Sequence, residues 1–196
     1  MAKKSAAWVT VVLTTGVCGS QRVLRLYSGV RRRERVGVML IRPLADRDVP
    51  AVLALNEASV WALSPLDSEG LARHRAAAEH VVVADVDATV AAFAIAYGPH
   101  TAYDSVNYAW HSERFDDFVY LDRIAVSQDF RRRGIATALY DDIEQHAVPH
   151  ARMVCEVNSD PPNFESLAFH ERRGYREIGH LTQADGHTTV MLEKPL

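Results

Sequence analysis

Residues 117–158 limit the fold most tightly. "DFVYLDRIAV" (117–126) is a β-rich apolar run, and "RRRGIATALYDDIEQHA" (131–147) has helical spacing and must stop before Pro149. "ARMVCEVN" (151–158) follows as a buried strand. A strand, a helix and a strand in close succession require two parallel neighbours joined by a crossover.

The flanking sequence is of a different kind. "MLIRPL" (39–44) reads as a short strand closed by Pro43, and Asp46 is a fair N-cap for a helix carrying Val49, Val52, Leu53, Leu55 and Val60. Ser64-Pro65 breaks it, and a weaker helix starts at Asp67 or Ser68. "HVVVADVDATVAAFAIAYG" (80–98) is a hairpin about Asp85–Ala88. "PNFESLAFHERRG" (162–174) is helical and ends at Gly174, and a second hairpin turns at Ala184-Asp185-Gly186. The expected class is α/β: one domain with a central mixed, mostly antiparallel sheet of about six or seven strands, flanked by about four helices. Residues 99–117 show no period but hold Tyr103, Tyr108, Trp110 and Phe115. They read either as a substrate-side flap, whose Tyr103, Tyr108 and Trp110 stack on an acceptor, or as rings capping one end of the core.

Charge divides the chain. Eight of its 22 basic residues but only one of its 25 acids fall in residues 1–38, so that segment is +7 and the remainder −10. Residues 1–38 therefore read as an extension apart from the domain at 39–196, either a disordered arm or a mis-annotated start before Met39. A secretory signal fits poorly, because the apolar stretch is short and thinned by Thr; an Arg-rich transit peptide is a further alternative. The net-acidic domain argues against nucleic acid, and the apolar stretch is too short to span a bilayer. Cys18 and Cys155 lie in no metal or redox spacing, which suits a reducing, cytoplasmic setting. No metal is expected: Pro149 separates His146 from His150, and the other histidines are scattered.

The junction at 126–137 carries the chemistry. Gly134 and the small Ala136 leave backbone N–H groups unobstructed where a helix begins, and with the helix dipole they form an anion site. Arg131, Arg132 and Arg133 add charge suited to a pyrophosphate. No Gly-Lys-Ser/Thr follows and no G-x-G-x-x-G is present, so ATP and NAD lose ground.

This R-x-x-G-x-A turn resembles the pyrophosphate loop Q/R-x-x-G-x-G/A of the GNAT superfamily of N-acetyltransferases. "CEVNSDPPNFESLAFHERRGYREIG" resembles that family's closing motif, N-x-x-S/A-x-x-F-Y-x-x-x-G-F/Y, through Asn163, Ser166, Phe169, His170, Gly174 and Tyr175. The motifs span residues 118–179, and the element order extends the likeness to 39–196.

The resemblance implies acetyl-CoA as co-substrate and transfer of its acetyl group to a primary amine of a small molecule or peptide. Ile124, Ala125 and Val126 would bond the pantetheine arm through their backbone. Arg131, Arg132, Arg133, Gly134, Ile135, Ala136 and Thr137 would hold the pyrophosphate, with Asn158, Asn163 and Ser166 completing the cofactor set. The chain departs from the pattern at His170, where the family's acid is Tyr. Histidine can protonate a departing thiolate. Asp122, sharing strand parity with Tyr120, Ile124 and Val126, is a candidate base, with Glu156 and Asp160 behind it. A non-catalytic acyl-CoA sensor of the same fold is the alternative function. A homodimer through exposed strand edges is the expected assembly.

Overall fold

The computed structural model describes residues 38–196 in full and, before them, only the backbone of β1 (Gly16–Cys18) and β2 (Gln21–Arg25). The expectations for the rest of residues 1–37 lie outside the described residues. The later elements are β3 (Val38–Pro43), α1 (Val49–Glu57), α2 (Ser68–Ala77), β4 (His80–Val86), β5 (Thr89–Tyr97), α3 (Val106–Ser112) and β6 (Val119–Val126). Then come α4 (Ile135–His146), β7 (Arg152–Asp160), α5 (Phe164–Arg172), β8 (Arg176–Thr182) and β9 (Thr188–Pro195). One sheet runs β1-β2-β3-β4-β5-β6-β7-β9-β8, antiparallel throughout except for the parallel pair β6–β7. The seven strands from Val38 onward are those read from the sequence, and α4 is the crossover.

Both faces of the sheet are covered, which is why its central strands are continuously apolar. The alternation of β5 sorts the layers. Ala92, Ala94 and Ala96 meet Leu139, Ile143 and the rest of the α4 face, while Phe93, Ile95 and Tyr97 meet Val52 of α1, Leu71 of α2 and Tyr108 of α3. Small residues let α4 approach closely, and large ones fill the opposite layer. Burying side chains such as Leu139 and Ile143 is worth roughly 1.5–3 kcal/mol each.

Three local features differ from the sequence reading. Residues 99–117 contain α3, capped by Ser105, whose hydroxyl accepts from Tyr108 N (3.3 Å). Tyr108 is buried against the core, with its hydroxyl donating to Gly98 O (2.8 Å), so this part of the segment closes the core. The helix is a mere two turns long, too short to show a period.

The start of α1 is the second. Residues 46–48 form a 3-10 turn, and Asp46 pairs with Arg75 rather than capping a helix. Asp48 precedes α1, and its buried carboxylate takes Arg42 Nη1 (2.6 Å), Arg42 Nη2 (2.9 Å) and Ala45 N (2.8 Å). Arg42 also reaches Asp85 Oδ2 (2.9 Å), tying α1 to β3 and β4.

The third is a β-bulge in β6. Ile95 pairs with Arg123 and Ala96 with Leu121, so Asp122 is the extra residue. Beyond it the alternation inverts: Tyr120 lies in the layer of α1 and α2, whereas Ile124 and Val126 pack against the layer of α4. Asp122 therefore shares a face with Tyr120 but not with Ile124 and Val126.

Candidate active site

The bulge and the crossover together open the sheet. β6 and β7 pair only through Val119–Met153 and Tyr120–Val154 and then diverge. From Asp122 onward the β7-facing edge of β6 has no strand partner. An extended chain carrying amides can add to such an edge.

On the α4 side of the opening lies a cleft of about 430 Å³, lined by Ile124, Ala125, Val126, Arg131, Arg132, Gly134, Ile135, Ala136, Thr137, Asn163 and Ser166. These are eleven of the thirteen residues expected to hold the cofactor. Gly134 is the N-cap of α4 in a left-handed conformation (φ 78°), which glycine adopts without strain, and it offers no side chain to the helix N-terminus. The first helical bond is Ala138 N to Gly134 O (3.0 Å), so the N–H groups of Ile135, Ala136 and Thr137 have no acceptor within the helix. The donor set fits a pyrophosphate followed by an extended amide arm. The remaining two residues lie elsewhere. Arg133 stands over the Phe130 ring at 5.1 Å, and Asn158 lines a neighbouring cleft, with its Oδ1 bonded to His187 Nε2 (2.8 Å). Asn163 lines this first cleft as a helix cap, its Oδ1 accepting from Ser166 N (3.1 Å).

His170 lines the same cleft but is closed off. It is 4% exposed, and its Nδ1 must donate to Ser166 O (2.8 Å), which leaves Nε2 to accept from the Tyr140 hydroxyl (2.6 Å). Burial holds the imidazole below its ordinary pKa and therefore neutral. With one nitrogen donating to a carbonyl and the other accepting from a phenol, neutral His170 has no proton free for a leaving group. Tyr140 was not singled out in the sequence, because on α4 it reads as one more core aromatic.

A second cleft, about 560 Å³, adjoins the opening between the α1–α2 loop, the segment leading into α3 and the β8–β9 turn. Glu156 of β7 lines it. Its Oε1 accepts from the Tyr120 hydroxyl (2.9 Å) and Asn107 Nδ2 (2.9 Å), while Oε2 is shut off from solvent with no hydrogen-bond partner among the described residues. Burial, reinforced by the charge of Asp122, pushes the Glu156 carboxyl up to about 8. Asp122 is fully engaged: Oδ1 accepts from the Tyr103 hydroxyl (2.8 Å) and Oδ2 from Arg123 Nε (3.2 Å). Glu156 thus has the unpartnered oxygen and the perturbed proton affinity, whereas Asp122 sets the field around it. Asp160 lies at the end of β7, outside this lining.

Of the aromatics expected at an acceptor, Tyr103 lines this cleft, but Tyr108 belongs to the core, and Trp110 packs under Arg114 (3.6 Å) and over Gly179. A Cβ on Gly179 would lie 2.9 Å from the Trp110 ring. Trp61, Asn107, Asp104 and Asp185 line the cleft without having been signalled by any motif. His146 and His150, separated by Pro149, nonetheless converge on Glu79 Oε1 (2.9 and 3.3 Å). Among the described residues no group of His, Cys, Asp or Glu is arranged to hold a metal ion. No helix among them is long and apolar enough to cross a membrane.

Comparison with known proteins gives a consistent result. No curated protein matches the chain. Among solved structures, it is similar to Ard1 from Thermoplasma volcanium (17% identity, TM-score 0.66, covering 81% of this chain and 97% of that one). It is likewise similar to the ribosomal-protein-S18-alanine N-acetyltransferase from Escherichia coli (21%, TM-score 0.57, 80% and 93%). A third is Arabidopsis thaliana Naa50 in complex with the bisubstrate analogue CoA-Ac-MVNAL (13%, TM-score 0.60, 80% and 97%). These likenesses concern the fold. The profile of the acetyltransferase (GNAT) family matches residues 48–175, and the chain belongs to that family.

Proposed function

We propose that this protein is an acetyl-CoA-dependent N-acetyltransferase acting on a primary amine by direct attack in a ternary complex. The observation that carries the reading is the pair of clefts meeting at the β6–β7 opening, one ending in free helix N–H groups and the other in the unpartnered Glu156 Oε2. A single ligand joining CoA to a peptide, as bound by the Arabidopsis protein, suits such a junction.

Bound acetyl-CoA supplies the thioester. Gly134, Ile135, Ala136 and Thr137 receive the pyrophosphate with Arg131 and Arg132, and the free edge at Ile124–Val126 aligns the pantetheine amides. Glu156 Oε2 takes a proton from the acceptor ammonium; a carboxylate with proton affinity near 8 is a far better match for an alkylammonium than an ordinary one. The amine nitrogen then bonds to the acetyl carbon, the C–S bond breaks, and the surplus proton on that nitrogen passes to the departing thiolate, giving the amide and CoA thiol. His170, lacking a free proton, acts by holding Tyr140 and α5 in place. Asp122 keeps the proton affinity of Glu156 high.

Calorimetric titration with acetyl-CoA tests the first cleft. Arg131→Ala/Arg132→Ala should weaken binding at least about tenfold, since two charge-assisted phosphate contacts are removed. Unchanged affinity would refute the assignment. Release of CoA thiol in the presence of amines tests transfer, and the Glu156→Gln variant should lose it.

A further inference from the structure

The second cleft also indicates which amines it accepts. Its floor is Glu156 on β7, and two exposed carboxylates face it from separate loops: Asp104 from the segment before α3 and Asp185 from the β8–β9 turn. Its two basic side chains are committed elsewhere. Arg123 is held by Asn56 Oδ1 (2.9 Å), Ser64 O (2.7 Å), Ser64 Oγ (2.5 Å) and Asp122, and the His187 ring bonds Asn158 Oδ1. Asp122 balances the charge of Arg123, and neither basic side chain bonds Asp104 or Asp185. Asp185 accepts only the backbone N–H of His187 (2.9 Å).

Independently of this acidity, the sequestered Glu156 Oε2 has no hydrogen-bond partner among the described residues. A buried carboxyl oxygen left unpaired is unfavourable unless a ligand pairs with it. At the mouth, Trp61 is 62% exposed and lines both this cleft and the cofactor cleft, presenting an aromatic face to a cation on its way in.

We infer that the acceptor is a linear polycation, an aliphatic diamine or longer amine whose reacting nitrogen meets Glu156 while a second cationic centre lies between Asp104 and Asp185. The inference rests on the acetyltransferase reading of the same cleft. A monoamine of equal length satisfies Glu156 alone and leaves the wall carboxylates to solvent. The polycation engages all three, and its binding weakens with salt because the walls are exposed.

The test uses the full chain with acetyl-CoA, comparing 1,5-diaminopentane with pentylamine by CoA thiol release, alongside calorimetric titration of the diamine into the CoA complex. The diamine should show kcat/KM at least about tenfold above pentylamine at low salt, a ratio corresponding to about 1.4 kcal/mol. In Asp104→Asn/Asp185→Asn the ratio should contract towards one. A wild-type ratio near one overturns the inference without touching the transfer reading, as does a ratio unchanged in the variant. Tight binding of the diamine without turnover upholds the inference and overturns the transfer reading. Absence of both binding and turnover overturns the inference.

Discussion

Replacing Tyr120 by Phe isolates the hydrogen bond that most directly tunes the proposed base. The Tyr120 hydroxyl donates to Glu156 Oε1 at 2.9 Å beside Asn107 Nδ2, and it favours the ionised carboxylate. A hydrogen bond to a charged group is worth roughly 1.5–3 kcal/mol, and 1.36 kcal/mol corresponds to one pKa unit. The Glu156 carboxyl should therefore rise from about 8 by roughly one to two units. At pH 7 about a tenth of the wild-type base is ionised, and in the variant about a hundredth or less, so kcat/KM there should fall at least about tenfold. Because the ionised form is the active one, activity is lost as pH falls through the carboxyl's pKa, and the variant should recover towards wild type near the top of the range. The assay is kcat/KM by CoA thiol release between about pH 6 and pH 10, with one amine for both proteins so that the amine's own titration cancels. An acid limb that stays in place, moves down, or gives way to a uniform loss at every pH would refute the reasoning.

The same carboxyl should govern stability with the opposite sign. Its folded-state pKa of about 8 lies above the ordinary 4.5, so ionisation penalises the native state increasingly as pH rises between those values. Glu156→Gln should match wild type below about pH 4.5 and exceed it in thermal unfolding above about pH 8; equal melting temperatures at both ends would contradict this. Arg42→Met should cost about 3–5 kcal/mol in urea unfolding, because Asp48, 3% exposed, is left charged without its guanidinium partner; a cost below about 1 kcal/mol would refute the role given to that pair. His170→Phe should lower stability by roughly 1–3 kcal/mol through the orphaned Tyr140 hydroxyl while leaving the shape of the pH–rate profile unchanged. Selective loss of the alkaline limb would instead make His170 the acid.

The first cleft was legible because what forms it resides in the backbone. A glycine, small neighbours and a strand-to-helix junction are sequence facts, and Gly134 through Thr137 line the cleft they were expected to line. The element order was legible for the same reason, each strand and helix carrying its own period. The acceptor side was not. Glu156, Tyr120 and Asn107 meet across β7, β6 and α3, and nothing in the spacing of three distant residues announces such a contact. Parity failed at Asp122 because an inserted residue in β6 leaves no mark on an apolar pattern. His170 looked like an available acid in a motif, and only the Tyr140 hydroxyl and the Ser166 carbonyl around it show that both nitrogens are engaged.

Arg123 has a consequence for how such a fold can change. One guanidinium, delivered by the bulge in β6, grips Asn56 near the end of α1 and Ser64 at the far end of the loop that follows. The feet of the intervening span, residues 57–63, are thereby pinned to the sheet, whereas its middle, including Trp61, makes up part of the rim of both clefts. Substitutions or a change of length between those feet leave strand register, crossover and anion turn untouched. On the proposed acetyltransferase reading, selectivity for the amine can drift there in single steps, each testable by exchanging residues 57–63 alone, while the turn proposed to hold the acyl donor stays constant.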